Sequence, residues 1–325
     1  IRFTGNANQM LNGWSTSGFS TSFNEMVVDK TGLTKVATNG TNMKFGIGTS
    51  LEIVNGTFEL AGIDDIEART WDGSASTATI TVQSGGIFNM LGGGTTTTGS
   101  YLRQAGNTGE NDSKIGKMIV YGVVNFGTSQ NGVRTNLNGI DIENGGAVYF
   151  TTGRGTATSS FNPGAITIKD GGLFKNSLST NYWYPNSTTP NTVIINSGGE
   201  YYQAAGTTYL PQTFTIDDGG TVRYYSTATS TLPAGITTYS NLILTGTSQK
   251  NLGVNTTING TLNIINTATL SLNGKTLTYG PTASLQYGES GTSSAQTTTG
   301  NEWPATGGPN NVSIYNTNGV TLHES

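Results

Sequence analysis

The chain has 325 residues, with 15 Lys and Arg against 19 Asp and Glu for a net charge of −4, 10% charged residues, 47 glycines and no cysteine. That balance supplies no basic face for nucleic acid or anionic lipid, and the missing cysteines exclude disulfides and thiolate chemistry. So little charge with so much glycine is unlike an ordinary globule, and surface polarity falls to Thr, Ser and Asn.

From 1 to 62 the phrases are loose, and the clearest is 51–58, where alternating apolar residues flank Asn55-Gly56. Between 63 and 225 one nine-position phrase recurs at 80–88, 140–148, 166–174, 193–201 and 214–222. It reads apolar, any, apolar, any, then Ser, Asn or Asp, then Gly-Gly, any, apolar. Polar insertions interrupt it at 91–113, 151–163 and 176–191. Beyond 231 the phrases shorten, with Asn-Gly corners at Gly260, Gly274 and Gly319. No stretch has the periodicity of an amphipathic helix. The longest apolar run, 118–124, is interrupted by Gly122 and is too short to span a bilayer.

The phrase describes a strand that turns a corner. Alternation puts Ile166 and Ile168 on one face and Thr167 and Lys169 on the other. Gly-Gly supplies backbone at positive φ, and the preceding Ser84, Asn144, Asp170, Ser197 or Asp218 closes the corner by bonding its own backbone two residues on. A unit repeated this regularly stacks, because one copy cannot bury its own apolar face. An antiparallel meander also uses Asp-Gly and Asn-Gly turns. Against it, phrases beginning at Ile140, Ile166, Val193 and Phe214 are 26, 27 and 21 residues apart, enough for three short strands with corners. The expected fold is therefore all-β, a right-handed parallel β-helix or solenoid of about 13 coils and on the order of 60 Å long. Val82, Ile142, Ile168, Ile195 and Ile216 should form one inward column. The 60 residues from Gly85 to Gly145 read as two coils plus the insertion at 91–113. The whole of 1–325 reads as one continuous solenoid, a segment of a longer exported chain. Neither end carries a cap, so further coils or end-to-end stacking of neighbouring chains is expected.

Ile1-Arg2-Phe3-Thr4-Gly5 with Gln9 and Gly13, Phe23 to Val28, and Ser50 to Gly56 resemble repeats in very large cell-surface proteins of Bacteroidota exported by the type IX secretion system. Leu232-Pro233-Ala234-Gly235, Tyr239 to Leu244, Val254 to Leu262, Glu302-Trp303-Pro304, Gly308 to Val312 and Gly319 to Leu322 are similar to the same repeats. These motifs cover about half of the chain and are structural, so they specify a habitat better than a ligand. The resemblance implies a stalk or adhesive region outside the cell and a partnership with the type IX export machinery.

Catalytic constellations fail in turn. The chain has a single histidine, His323, which leaves no Ser-His-Asp arrangement and no histidine metal site. Asp64, Asp65, Glu67 and Arg69 are the densest ionisable cluster and read as a solvated loop. Glu110 and Asp112, with Asn107 and Asn111, offer oxygens to Ca²⁺ without the spacing of a known calcium loop. Asp217-Asp218 belongs to a corner, and Gly92-Gly93-Gly94 follows no strand-to-helix transition. Tyr182-Trp183-Tyr184 stands out in the polar insertion 176–191: three adjacent aromatics either fold back over the coil or meet a glycan or protein receptor. Trp14, Trp71 and Trp303 read as caps over corners. The expected function is a non-catalytic extracellular β-solenoid, structural or adhesive, on a bacterial surface. The alternative is a carbohydrate-binding or carbohydrate-cleaving β-helix. An ice-binding solenoid needs a flat Thr ladder at one fixed coil length, which these spacings do not supply.

Overall fold

A computed structural model describes residues 1–12, 21–40, 43–62, 64–68, 76–92, 100–104, 115–127, 133–151, 161–177, 192–204, 213–291 and 294–323. Among them every strand pairing is parallel, which removes the meander. The fold is a parallel β-solenoid. Residues paired one to the next run from Gln9 through Val36, Phe58, Phe88, Val124, Val148, Phe174, Tyr201, Val222, Leu242, Leu262 and Leu285 to Val312, thirteen rungs in one column. At the spacing of neighbouring strands, twelve steps make a stack about 58 Å long.

The inward column predicted from the phrase exists. Ile142 pairs with Ile168, Ile168 with Ile195 and Ile195 with Ile216, while Val120 links Val82 to Ile142. All but Ile216 are fully buried. Ile216 is half-buried because Thr213–Ile216, among the described residues, is paired on one side only. Burying each such aliphatic side chain stabilises the stack by roughly 1.5–3 kcal/mol. Beyond Thr221–Tyr224 a coil of about 20 residues carries three short ladders, represented by Thr261–Ile264, Thr269–Ser271 and Leu277–Tyr279. The spacing from Val222 to Leu242 to Leu262 is the shortening read from the sequence.

The corner works differently from the expectation. Its two glycines have separate duties. Gly145, Gly171, Gly198 and Gly219 take positive φ, at 78°, 69°, 74° and 88°. The second glycine does not. A β-carbon on Gly172 would lie 2.7 Å from the carbonyl oxygen of Ile142, and one on Gly199 would lie 2.5 Å from that of Ile168. The second glycine is thus required by contact with the coil below. The turn is closed by the backbone, Gly172 N–H donating to Lys169 O at 2.8 Å and Gly199 N–H to Asn196 O at 2.9 Å. The side chains of Asn144, Asp170 and Ser197 instead lean over the corner glycine of the next coil, Gly171, Gly198 and Gly219. In the first copy of the phrase the strand Thr79–Gly92 runs straight through, and Gly85 has no positive φ.

Two further expectations change. The insertion at 91–113 is not loop throughout: Ser100–Gln104 is a strand in register with Asp65–Ala68 and with Val133–Ile142. Nor is the acidic cluster solvated, since Asp64, Asp65 and Glu67 are all buried. The Asp64 carboxylate accepts the backbone N–H groups of Gly40 at 2.7 Å and Met43 at 2.6 Å, a charged acceptor for donors that the bend leaves without a ladder. Arg69 lies outside the described residues.

The core also contains a polar interlude. In the column Phe126, Phe150, Asn176, Gln203, Tyr224, the two amides are fully buried. Asn176 Nδ2 donates to Gln203 Oε1 at 3.1 Å, and the Tyr201 hydroxyl donates to the same oxygen at 2.7 Å. Phe174 stacks on Tyr201 with parallel rings 5.7 Å apart.

Candidate binding face

The strands that follow the corners, Ala147–Phe150, Leu173–Asn176, Glu200–Gln203 and Thr221–Tyr224, each bury their second and fourth residues. Their third residues therefore project outward, and parallel register stacks them as Tyr149, Lys175, Tyr202 and Arg223. All four are half-buried, so aromatic and cationic groups alternate along the solenoid axis. The Arg223 guanidinium carbon lies 4.9 Å from the centre of the Tyr202 ring, and the Lys175 ammonium lies 5.1 Å from that of Tyr225. Tyr202 and Tyr225 rings are 6.3 Å apart. Such cation–ring contacts contribute about 0.5–1 kcal/mol when partly exposed.

The face is fixed at its edges. Arg223 bonds Glu289 at 3.1 Å, a residue three rungs further along the stack. The Tyr225 hydroxyl donates to the Asn176 carbonyl at 2.9 Å, tying it to the end of the Leu173–Asn176 strand. Burial pushes the Tyr202 hydroxyl up to about 12, helped by the hydrogen bond it donates to Glu200. It is thus a neutral hydrogen-bonding group at physiological pH.

The strands ending at Phe126, Phe150, Asn176 and Gln203 are successive rungs, and the undescribed stretches 128–132, 152–160, 178–191 and 205–212 begin within two residues of them. Tyr182, Trp183 and Tyr184 belong to the third stretch and lie outside the described residues, as do Glu110 and Asp112. Trp14 and Trp71 lie outside them too.

Elsewhere several charged residues bridge coils. Lys117 meets Asp141 at 2.7 Å, Lys169 meets Glu143 at 2.5 Å and Lys35 meets Glu59 at 2.7 Å. Pairs this exposed are worth about 0–1 kcal/mol each. Asp217-Asp218 sits in a corner, as read from the sequence, but the turn is closed by the Asp217 carbonyl and not by the Asp218 side chain, which accepts from the Ser240 hydroxyl at 3.4 Å. Beside it Ile216, Asp218, Thr238, Ser240 and Asn259 line a groove of about 290 Å³ where the Thr213–Ile216 edge is open. Trp303 packs partly buried against the core. Its indole N–H donates to the Tyr287 hydroxyl at 3.1 Å, which in turn donates to the buried Glu302 carboxylate at 3.0 Å. His323 shares a 2.6 Å hydrogen bond with the Thr298 hydroxyl. Among the described residues no three His, Cys, Asp or Glu side chains gather as a metal site would need, and no helix is long and apolar enough to cross a membrane.

Sequence reading did not single out Tyr149, Lys175, Tyr202 and Arg223. The signal was present, because each follows the last apolar residue of a corner phrase. Placing the phrases in parallel register is what brings these residues together.

No family model matches the chain, and no curated protein matches it. Among solved structures it is similar to a hyper-glycosylated fragment of TibA, glycosylated by TibC, at 15% identity and a TM-score of 0.23, over 98% of this chain and 100% of that one. A likeness at that score bears on neither function nor site.

Proposed function

We propose that the chain is a non-catalytic extracellular β-solenoid, a structural stalk or adhesive region of a bacterial surface protein. The observation that carries this reading is the thirteen-rung ladder, whose apolar columns run through most of its length while Thr, Ser and Asn carry the outer faces. Such a stack spaces other groups along an axis, and its hydrogen-bonded rungs give stiffness. The resemblance of both ends of the chain to type IX surface repeats supports the location and the export route. Several of the described charged groups stand in inter-coil pairs, which fits a structural use of charge.

Surface biotinylation of intact producing cells tests the location, and the chain should be labelled before lysis. Incubation with pectin and with alginate, with and without calcium, tests the chemistry, and no reducing ends should appear above the buffer control. A chain labelled only after lysis, or one that releases reducing ends, contradicts the reading. Carbohydrate binding is the second reading, favoured by the alternating tyrosine and cation face.

A further inference from the structure

We propose that the outward column Tyr149, Lys175, Tyr202 binds an acidic glycan lying along the solenoid axis, with sugar rings stacked on the two tyrosines and the carboxylate of the intervening sugar at Lys175. The proposal rests on the reading of the chain as an extracellular solenoid and names the ligand class of its binding face.

Spacing carries the argument. Tyr149 and Tyr202 are two rungs apart in strict register, about 9.6 Å along the axis, close to the length of a disaccharide in an extended chain. Alternate sugars of such a chain meet alternate rungs, so the residue between the tyrosines faces the sugar between the stacked ones. That residue is Lys175. Among the described residues no carboxylate forms an ion pair with Lys175, whereas Lys35, Lys117 and Lys169 each bridge to an acid of a neighbouring coil. A cation held over an aromatic ring, with no acid against it, is available for a ligand carboxylate.

The face is also preorganised. Tyr202 is held between Arg223 above and its hydrogen bond to Glu200, and Arg223 is held by Glu289, so ordering these side chains costs binding little. Arg223 is already paired, which leaves Lys175 as the group that selects charge.

The test is calorimetry of the full chain with a hyaluronan octasaccharide, which carries a carboxylate on every second sugar, and with the same octasaccharide after reduction of its carboxyls to alcohols. The native glycan should bind saturably, and the reduced one about tenfold more weakly. Lys175→Gln should abolish that preference and flatten the salt dependence, while Tyr149→Ser should weaken both glycans about tenfold. Lys117→Gln, on the strand Ile115–Val120 preceding a corner, should change neither. Thermal midpoints establish that each variant is folded. No saturable binding, equal binding of the two glycans, or folded Lys175→Gln and Tyr149→Ser proteins that bind like wild type would overturn the proposal. Any of these leaves the stalk reading standing, since that fails by its own surface-labelling experiment.

Discussion

Replacing Gly145 and Gly146 one at a time perturbs a single corner in two physically different ways. Gly145 sits at φ 78°, and a β-carbon there would meet nothing within 4 Å. Gly145→Ala therefore costs only backbone strain, about 1–2 kcal/mol, and Gly145→Asn costs less because asparagine tolerates the left-handed region. Gly146 has an ordinary φ, but its β-carbon would press on the carbonyl oxygen of Val120 and lie 3.0 Å from that of Glu143. Both oxygens are already engaged, Val120 O by the Glu143 N–H at 2.9 Å and Glu143 O by the Gly146 N–H at 2.9 Å. Relieving the contact means separating two rungs: overpacking of about 1–3 kcal/mol, plus roughly 1 kcal/mol for each of two weakened bonds, gives about 3–5 kcal/mol for Gly146→Ala. Stacked coils need not unfold in one step, so native-state hydrogen exchange at Met118, Val120, Ile140 and Ile142 is the suitable readout. A Gly146→Ala protein no more open there than Gly145→Ala, or a Gly145→Asn protein as open as Gly145→Ala, would refute the division of labour.

Gln203→Leu removes the acceptor shared by Asn176 and Tyr201 and should destabilise by about 1–3 kcal/mol in urea titration; adding Asn176→Leu and Tyr201→Phe should restore most of the loss, because the column is then apolar throughout. A triple variant weaker than the single one would show that the amides are needed for register. Lys250 is fully buried, its ammonium donating to the carbonyls of Ser226 and Ser248 at 2.9 Å each, and burial lowers its pKa to about 8. Its folded pKa lies below its unfolded one, so between about pH 8 and 10 the unfolded chain holds the extra proton at this site and the Lys250 contribution to stability rises with pH, against the opposite slope of buried tyrosines whose folded pKa is raised. The difference in unfolding free energy between wild type and Lys250→Met should therefore grow in favour of wild type over this window; a difference that stays flat or shrinks would contradict the placement.

Much of the architecture was legible because side-chain period and glycine position are local properties. Ile142, Ile168 and Ile195 could be stacked on paper, since the phrase fixes both the strand face and the corner. The duty of Gly172 and Gly199 was not legible, because it comes from a carbonyl one coil away and leaves no mark in their own neighbourhood. Asp64 and Glu67 misled for a related reason: a dense acidic run looks solvated until the bend at Gly40 and Met43 supplies buried N–H donors to it. Ser100–Gln104 was hidden among the glycines and threonines of the insertion, where alternation is too weak to announce a strand. The candidate face was half legible. Its tyrosines and cations are plain in the sequence, but their alternation exists only along the axis, between residues 26, 27 and 21 positions apart.

Parallel register is the claim on which the columns, the corners and the candidate face all depend, and the natural absence of cysteine allows it to be tested by paired cysteines. Thr167 and Ile194 are direct partners on adjacent rungs, and Ile194 is in turn the partner of Thr215. Adjacent rungs put α-carbons about 4.8 Å apart, within disulfide reach, whereas two rungs put them about 9.6 Å apart, beyond it. Thr167→Cys with Ile194→Cys should oxidise to completion in the folded protein, and Thr167→Cys with Thr215→Cys should remain as free thiols. Ready cross-linking of the second pair with none of the first would contradict the stack.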